Sequence, residues 1–66
     1  MSLQSLSPRE LEAMRLIVAG HTAKGAARQM GIGVQTMKDY TQRARLKLGA
    51  PTTTRAAVLV ALQDKQ

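Results

Sequence analysis

The chain contains no cysteine, tryptophan or phenylalanine, and a single tyrosine. Without thiols, disulfide bonds and thiolate zinc sites are excluded. Proteins that bind single-stranded nucleic acid stack the bases on aromatic side chains, and Tyr40 alone argues against that mode. No apolar run approaches the roughly 20 residues of a membrane-spanning helix, and residues 1–6 are too few and too polar for a signal peptide. We therefore expect a cytoplasmic protein with no membrane partner.

Acidic residues are also scarce, with four carboxylates and one histidine in 66 residues. Glu10 fits a helix cap, and Glu12 lies only two residues away, so the two do not face each other across a cleft. His21 has no nearby partner for a metal site or a Ser/His/Asp triad. A glycine-rich phosphate loop is missing as well. The sequence therefore predicts no enzyme, no catalytic residue, no bound metal and no other cofactor.

Basic residues dominate the charge. Ten lysines and arginines give a formal net charge of +6, which favours a polyanionic partner such as nucleic acid or an anionic membrane surface. Six of them fall between Lys24 and Lys47, against a single acid, Asp39. A charged surface can also serve only for solvation, so charge by itself does not decide the function. At 66 residues the chain is one domain near the lower limit for unaided folding, and a partner subunit or further domain is expected to add stability.

Residues 31–49 predict a sharp glycine turn followed by an amphipathic helix. Apolar and small residues recur at steps of three and four, which is the period of one buried helical face. The inward residues are Val34, Met37, Thr41, Ala44 and Leu48. The outward residues are Gln35, Lys38, Asp39, Gln42, Arg43 and Leu46. Long hydrogen-bonding side chains on an exposed face indicate a helix that reads the major groove of duplex DNA.

Local signals predict two helices before this one. Ser7 is a candidate N-cap, Pro8 takes the first helical position and Glu10 completes a capping box, while Gly20 ends the helix. The apolar stripe of this helix comprises Leu11, Met14, Ile17 and Val18. Thr22 caps a second, short helix, which ends at Gly31 and turns Ala26, Ala27 and Met30 inward. Two short helices joined by a tight glycine-containing turn form a helix-turn-helix.

A fourth helix is predicted after Pro51, capped by one of the threonines at 52–54 and ending near Gln63. Residues 56–62 are apolar all round, so one face is left for a partner, which we expect to be a second copy of the chain. The fold prediction is all-α: a compact four-helix bundle over residues 6–63 with a helix-turn-helix formed by helices 2 and 3. Residues 1–5 are expected to be a disordered or cloning-derived lead, and residues 64–66 a frayed tail.

Five short stretches together resemble the DNA-binding domain of the LuxR family. They are Leu6-Ser7-Pro8-Arg9-Glu10, Ala19-Gly20, Ala27-Arg28-Gln29-Met30-Gly31-Ile32, Thr36-Met37-Lys38 and Lys47-Leu48-Gly49-Ala50. The resemblance runs over residues 6–62 without a gap. It implies a four-helix domain that regulates transcription at promoters, with helices 2 and 3 as the helix-turn-helix and helix 4 as a frequent dimer contact.

The resemblance also implies roles for individual residues. Base edges would be contacted by Lys38, Asp39 and Gln42, for which guanine, cytosine and adenine are the respective matches. Phosphate contacts would come from Thr22, Lys24, Gln35, Thr36 and Lys47, to which the basic helix adds Arg43 and Arg45. From the all-apolar fourth helix we expect a dimer interface with Arg55, Ala56, Leu59, Val60 and Gln63 as its candidate residues, and the sequence leaves open which face of that helix forms the contact.

Four positions depart from the family pattern. Gly25 stands where Glu usually completes a capping box, which predicts a less stable second helix. Gly33 replaces a serine cap, a change worth a few tenths of a kcal/mol. Tyr40 stands where His is common, and Leu46 stands exposed where a basic residue is common. Leu46 is expected to face solvent, with a thymine methyl or a partner protein as alternatives.

The functional hypothesis is sequence-specific binding of double-stranded DNA by a homodimeric transcriptional regulator or its output domain. Two alternatives remain. One is a promoter-binding module similar to sigma-factor region 4, which normally ends before a helix of this kind. The other is a protein-interaction module whose fourth helix docks a receiver or sensor domain outside this chain.

Overall fold

The computed structural model describes residues 5–64, which form four helices and, over that range, no strand. The helices are α1 (Pro8–Val18), α2 (Ala23–Met30), α3 (Val34–Leu48) and α4 (Thr53–Asp64). Helix α1 packs against each of the other three, and α3 packs against α1, α2 and α4. The all-α prediction with a helix-turn-helix of α2 and α3 is confirmed. Residues 1–4 and 65–66 of the predicted lead and tail lie outside the described residues.

Side-chain caps set where α1, α2 and α4 begin. The Ser7 hydroxyl accepts from the backbone N–H of Glu10 at 3.2 Å, and the Glu10 carboxylate accepts from the N–H of Ser7 at 3.0 Å. Thr22 Oγ1 accepts from the third N–H of α2 at 3.0 Å. Thr52 Oγ1 accepts from the third N–H of α4 at 3.1 Å. Each cap satisfies an N–H that the helix itself leaves without a partner.

Glycines set where the first three helices end. Gly20, Gly31 and Gly49 have φ of 103°, 68° and 69°, a left-handed region in which a Cβ atom is strained. Gly31 is also the start of the turn between α2 and α3, and Gly33 is the N-cap of α3 with no side-chain cap bond. Glycines at both ends therefore allow the turn of the helix-turn-helix to be short.

The core consists of two clusters, and α1 and α3 contribute to both. The first comprises Leu6, Met14, Ala44, Leu48, Ala50, Ala56 and Val60. The second comprises Ala13, Ala26, Ala27, Met30 and Met37. Alanines make up much of both, so the helix axes approach closely. Val18 and Val34, predicted to face inward, are 41% and 39% exposed because they lie at the ends of their helices, where fewer neighbouring residues cover them.

Two predictions about α4 need correction. Ala56 and Val60 have no exposed surface in the folded protomer, so they are core residues and leave nothing for a dimer contact. Asp64 is the last residue of α4 and not the start of a frayed tail. Its carboxylate accepts two hydrogen bonds from Arg15 on α1, both at 3.1 Å. This ion pair lowers the pKa of Asp64, mainly through the hydrogen bonds, and gives the last turn of α4 a partner.

The conformation of Gly25 makes helix α2 open to stabilisation. Gly25 is the third residue of α2 and lies outside the positive-φ region, and an added Cβ would meet its nearest atom, Thr22 Oγ1, at an ordinary 3.4 Å. Gly25→Ala is therefore expected to raise the free energy of unfolding by about 0.5–1 kcal/mol. Gly31→Ala, at φ 68°, is expected to lower it by about 1 kcal/mol. Urea unfolding followed by circular dichroism measures both, and equal effects of the same sign would contradict this explanation.

Candidate nucleic-acid interface

One face of helix α3 is exposed to solvent because the opposite face packs in the core. Met37, Thr41, Ala44 and Leu48 are buried, and successive residues lie about 100° apart around the axis. Opposite the core lie Gln35, Asp39, Gln42 and Leu46, all exposed, and we call them the outer line of α3; Arg43 is about as far around the axis from the core as Gln42. Leu46 is 59% exposed, as predicted. The outer line contains no cation and one carboxylate.

The cations of α3 lie to the two sides of the outer line. Lys38 and Arg45 fall on one flank, about 70–90° from it, and Arg43 and Lys47 fall on the other. A helix in the major groove presents its centre to base edges and its flanks to the phosphates of the two strands. The placement of neutral and acidic side chains at the centre, with cations on both flanks, matches that requirement.

Hydrogen bonds order the outer line. Gln35 Nε2 donates to Asp39 Oδ1 at 3.2 Å. Arg45 Nε donates to Gln42 Oε1 at 3.4 Å, and Arg45 Nη1 donates to the carbonyl of Ala50 at 3.0 Å. Because arginine only donates, the Gln42 carbonyl must face Arg45. The Gln42 amide nitrogen is thereby left to donate elsewhere.

Unlike these neighbours, the side chains of Lys38 and Arg43 have no partner among the described residues. Both side chains are exposed, and neither forms a hydrogen bond or ion pair with another of residues 5–64. Only the backbone of Lys38 is engaged, as its carbonyl accepts from Thr41 Oγ1 at 2.9 Å. One free cation therefore lies on each flank of α3.

Lys47 has a partner that sequence reasoning missed. Its Nζ lies 2.8 Å from Oε1 of Glu10, whose side chain is only 5% exposed. Burial raises the pKa of Glu10, but the hydrogen bonds from Lys47 and Ser7 and the charge of Lys47 outweigh burial and leave the pKa below its ordinary value. From the sequence, Glu10 was explained as a helix cap alone, because no local sequence pattern relates two residues that lie 37 positions apart. Lys47 thus joins the end of α3 to the start of α1.

The remaining predicted phosphate contacts lie at helix starts. Thr22 is the N-cap of α2, and its hydroxyl oxygen already accepts a backbone hydrogen bond, which leaves its proton to donate. Lys24 and Thr36 are exposed in the first turns of α2 and α3. Free backbone N–H groups at the start of a helix favour an anion. These three residues therefore lie beside N-terminal turns suited to phosphate.

Arg9 connects the end of α2 to α1 through hydrogen bonds. Its Nη2 donates to the carbonyl of Met30 at 3.2 Å, at the C-terminus of α2, and its Nη1 pairs with Glu12 at 3.0 Å. The guanidinium therefore fixes the end of α2 to α1, just before the turn into α3.

Within residues 5–64 no helix is long and apolar enough to cross a membrane, and no three His, Asp or Glu side chains cluster as metal ligands would.

Comparison with known proteins agrees with this geometry. The model of the luxR family of bacterial regulatory proteins matches residues 4–60. A 47-residue stretch is 47% identical to the HTH-type transcriptional activator RamA of Corynebacterium glutamicum. That stretch covers 71% of this chain but only 17% of the relative, so the relative is much the longer protein. No solved structure gives a significant match.

The Glu10–Lys47 pair predicts a pH-dependent stability. A carboxylate whose pKa is lower in the folded than in the unfolded state stabilises the fold at neutral pH, and this contribution is lost as the pH falls from the unfolded pKa, near 4.3, through the lowered folded value. Lys47→Met leaves a buried carboxylate without its ammonium and is expected to cost about 1–3 kcal/mol at pH 7.

Urea unfolding between about pH 3 and pH 7 tests this expectation. The loss caused by Lys47→Met should shrink as the pH falls, because protonated Glu10 no longer needs a cation. Lys38→Met is the matched control, since this exposed lysine has no partner among the described residues, and its effect should stay within about 0.5 kcal/mol at every pH. A Lys47→Met loss that does not change with pH would show that the stabilisation does not come from the pairing of Lys47 with the Glu10 carboxylate.

Proposed function

Since this chain belongs to the luxR family of bacterial regulatory proteins, we propose that it binds double-stranded DNA sequence-specifically and regulates transcription, with α3 in the major groove. The observation that carries the proposal is the surface of α3, where an outer line without cations lies between two cationic flanks. The printed name of the RamA relative, a transcriptional activator, supports the same role.

The positions of the side chains on α3 support the following roles. Lys38 and Arg43, the uncommitted cations, reach the two strands, and the long Lys38 side chain also reaches a guanine edge. Gln42 donates its amide N–H to a base acceptor while Arg45 holds its carbonyl. Lys47 shares its charge with Glu10 and so contributes less to phosphate binding than its position on the helix suggests.

The first turns of α2 and α3 add phosphate contacts through Thr22, Lys24 and Thr36. Each of these side chains is exposed beside N–H groups at the start of its helix. Such contacts fix the register of the domain on the duplex, and they carry no sequence information of their own.

Dimerisation belongs to the proposal through a different face of α4 from the one predicted. Val58 and Leu62 are 42% and 56% exposed and lie four residues apart on the side away from the core. Half-buried Leu59 and exposed Arg55 border them, and Gln63 lies at the edge. Two copies that bury this stripe against each other would place two α3 helices on a two-fold operator, with half-sites about one helical turn, 34 Å, apart.

The alternatives lead to different expectations for the same surfaces. A sigma-factor region 4-like module normally ends before such a fourth helix, and the presence of α4 over Thr53–Asp64 favours the regulator. A protein-interaction module would use the Val58–Leu62 stripe for a receiver or sensor domain and would leave α3 without a ligand. The length of the RamA relative is compatible with such further domains.

Duplex binding measured against salt concentration tests the proposal. The wild-type chain should bind duplex DNA with an affinity that falls steeply with salt, and Arg43→Met should weaken binding to all sequences alike and lower the log–log slope by about 0.9. Lys38→Met should weaken selected sites more than random duplex, because it also removes a base contact. A wild-type salt slope near zero would instead favour the interaction module.

Light scattering after size exclusion, on a palindromic duplex, tests the dimer. Leu62→Asp should stay folded and lose the mass of the second copy, because it places a charge on the exposed stripe. Gln29→Asp makes a similar change on exposed α2 and should leave the mass unchanged. Val60→Asp buries an unpaired charge and should unfold the protomer, so it is no test of the interface. A Leu62→Asp variant that keeps the full mass would overturn this interface.

A further inference from the structure

Asp39 is an unexpected residue for the centre of a DNA-binding surface. It is exposed on the outer line of α3, and in the proposed complex its charge lies near the phosphates of the duplex. A carboxylate at that place weakens binding to every sequence by repulsion unless a base donates a hydrogen bond to it. Asp39 therefore favours binding only at a site where a base donates to its carboxylate, and it opposes binding elsewhere.

The edges of the four bases select the donor. In the major groove cytosine offers only its N4 amine, whereas guanine offers two acceptors and thymine an acceptor and a methyl group. Adenine offers the N6 amine beside the acceptor N7, which repels a carboxylate. The chemistry of Asp39 therefore matches cytosine and opposes the other three bases.

The hydrogen bond from Gln35 decides which way this carboxylate points. Arg43 lies four residues after Asp39, the usual spacing for an ion pair on a helix. Within residues 5–64 no such pair forms, and Asp39 Oδ1 instead accepts from Gln35 Nε2 at 3.2 Å. Engagement on the Gln35 side leaves Arg43 free for a phosphate and Oδ2 free for a base.

We propose that Gln35 and Asp39 act as one reading unit, in which Gln35 is a positioning residue that orients the carboxylate of Asp39 toward the N4 amine of a cytosine. This proposal rests on the DNA binding proposed above and changes the expected role of Gln35, which was a phosphate contact. Pre-ordering the carboxylate lowers the entropy that is lost when the base contact forms. The unit thus sets a specificity at one base pair and contributes little to general affinity.

Selection from a random duplex pool, followed by titration of the four possible base pairs at each selected position, tests the unit. The full 66-residue chain is used. Asp39→Asn should replace the cytosine preference at one base pair by adenine, since an amide matches adenine N6 and N7. It should also strengthen binding to random duplex, because a negative charge is removed.

Gln35→Met keeps the length and neutrality of the side chain and removes the donor. It should reduce the preference for cytosine at the same base pair by about tenfold and leave binding to random duplex unchanged. The double variant Gln35→Met/Asp39→Asn should have the preference of Asp39→Asn alone, because Gln35 acts through Asp39. Unfolding temperatures should not change, as both side chains are exposed.

Gln29→Met is the matched control. It makes the same substitution at an exposed glutamine of α2 for which no DNA contact is proposed, and it should leave the base pair read by Asp39 unchanged. A Gln35→Met variant that weakens all duplexes equally would make Gln35 a phosphate contact and overturn the unit. A change at a base pair other than that of Asp39→Asn would overturn it as well.

Failure of the unit and failure of the proposed function are distinguishable. If the wild-type chain selects sites but Asp39→Asn alters no base preference, the proposed DNA binding stands and the reading unit is refuted. A wild-type chain that binds no duplex loses both.

Discussion

The carboxylate of Glu10 is the constraint on which the placement of α3 depends. It accepts from the N–H of Ser7 and from the ammonium of Lys47, so one nearly buried group ties the first turn of α1 to the last turn of α3. A buried carboxylate is costly unless such donors surround it. The core clusters hold α3 along its length, and Glu10 fixes its far end. The exposed face of α3 therefore has a defined orientation before any ligand arrives.

Because α3 is held in this orientation, its exposed surface has a defined arrangement of charged and uncharged side chains. Burial of Met37, Ala44 and Leu48 leaves only side chains of the opposite face exposed, and the order of residues in α3 keeps the cations to the flanks. Net charge brings a protein to DNA, and the arrangement of uncharged and acidic groups lets it choose a site. In the proposed complex the flanks of α3 supply the attraction, and the outer line together with Lys38 supplies the choice of site.

Features governed by near neighbours could be predicted from the sequence, and those governed by distant ones could not. Caps at Ser7 and Thr22 and the stop at Gly31 follow from residues within one turn, so the helix boundaries were right to within a residue or two. Two candidate contact residues of α4, Ala56 and Val60, are core residues instead, because an all-apolar helix gives no period by which to orient its faces. The contact sites proposed for DNA remain predictions, since they concern a molecule outside the fold.

The joint between α3 and α4 has a consequence for the spacing of operator half-sites. Ala50 is 4% exposed and exchanges two hydrogen bonds with Arg45: its N–H donates to the Arg45 carbonyl at 3.0 Å, and its own carbonyl accepts from the guanidinium at 3.0 Å. Because Ala50 also lies in the same core cluster as Ala56 and Val60 of α4, this connector resists a change in the angle between α3 and α4. If two copies pair through α4, the distance between their reading helices is a dimension of the folded protein, and DNA of another spacing must itself twist or bend to fit.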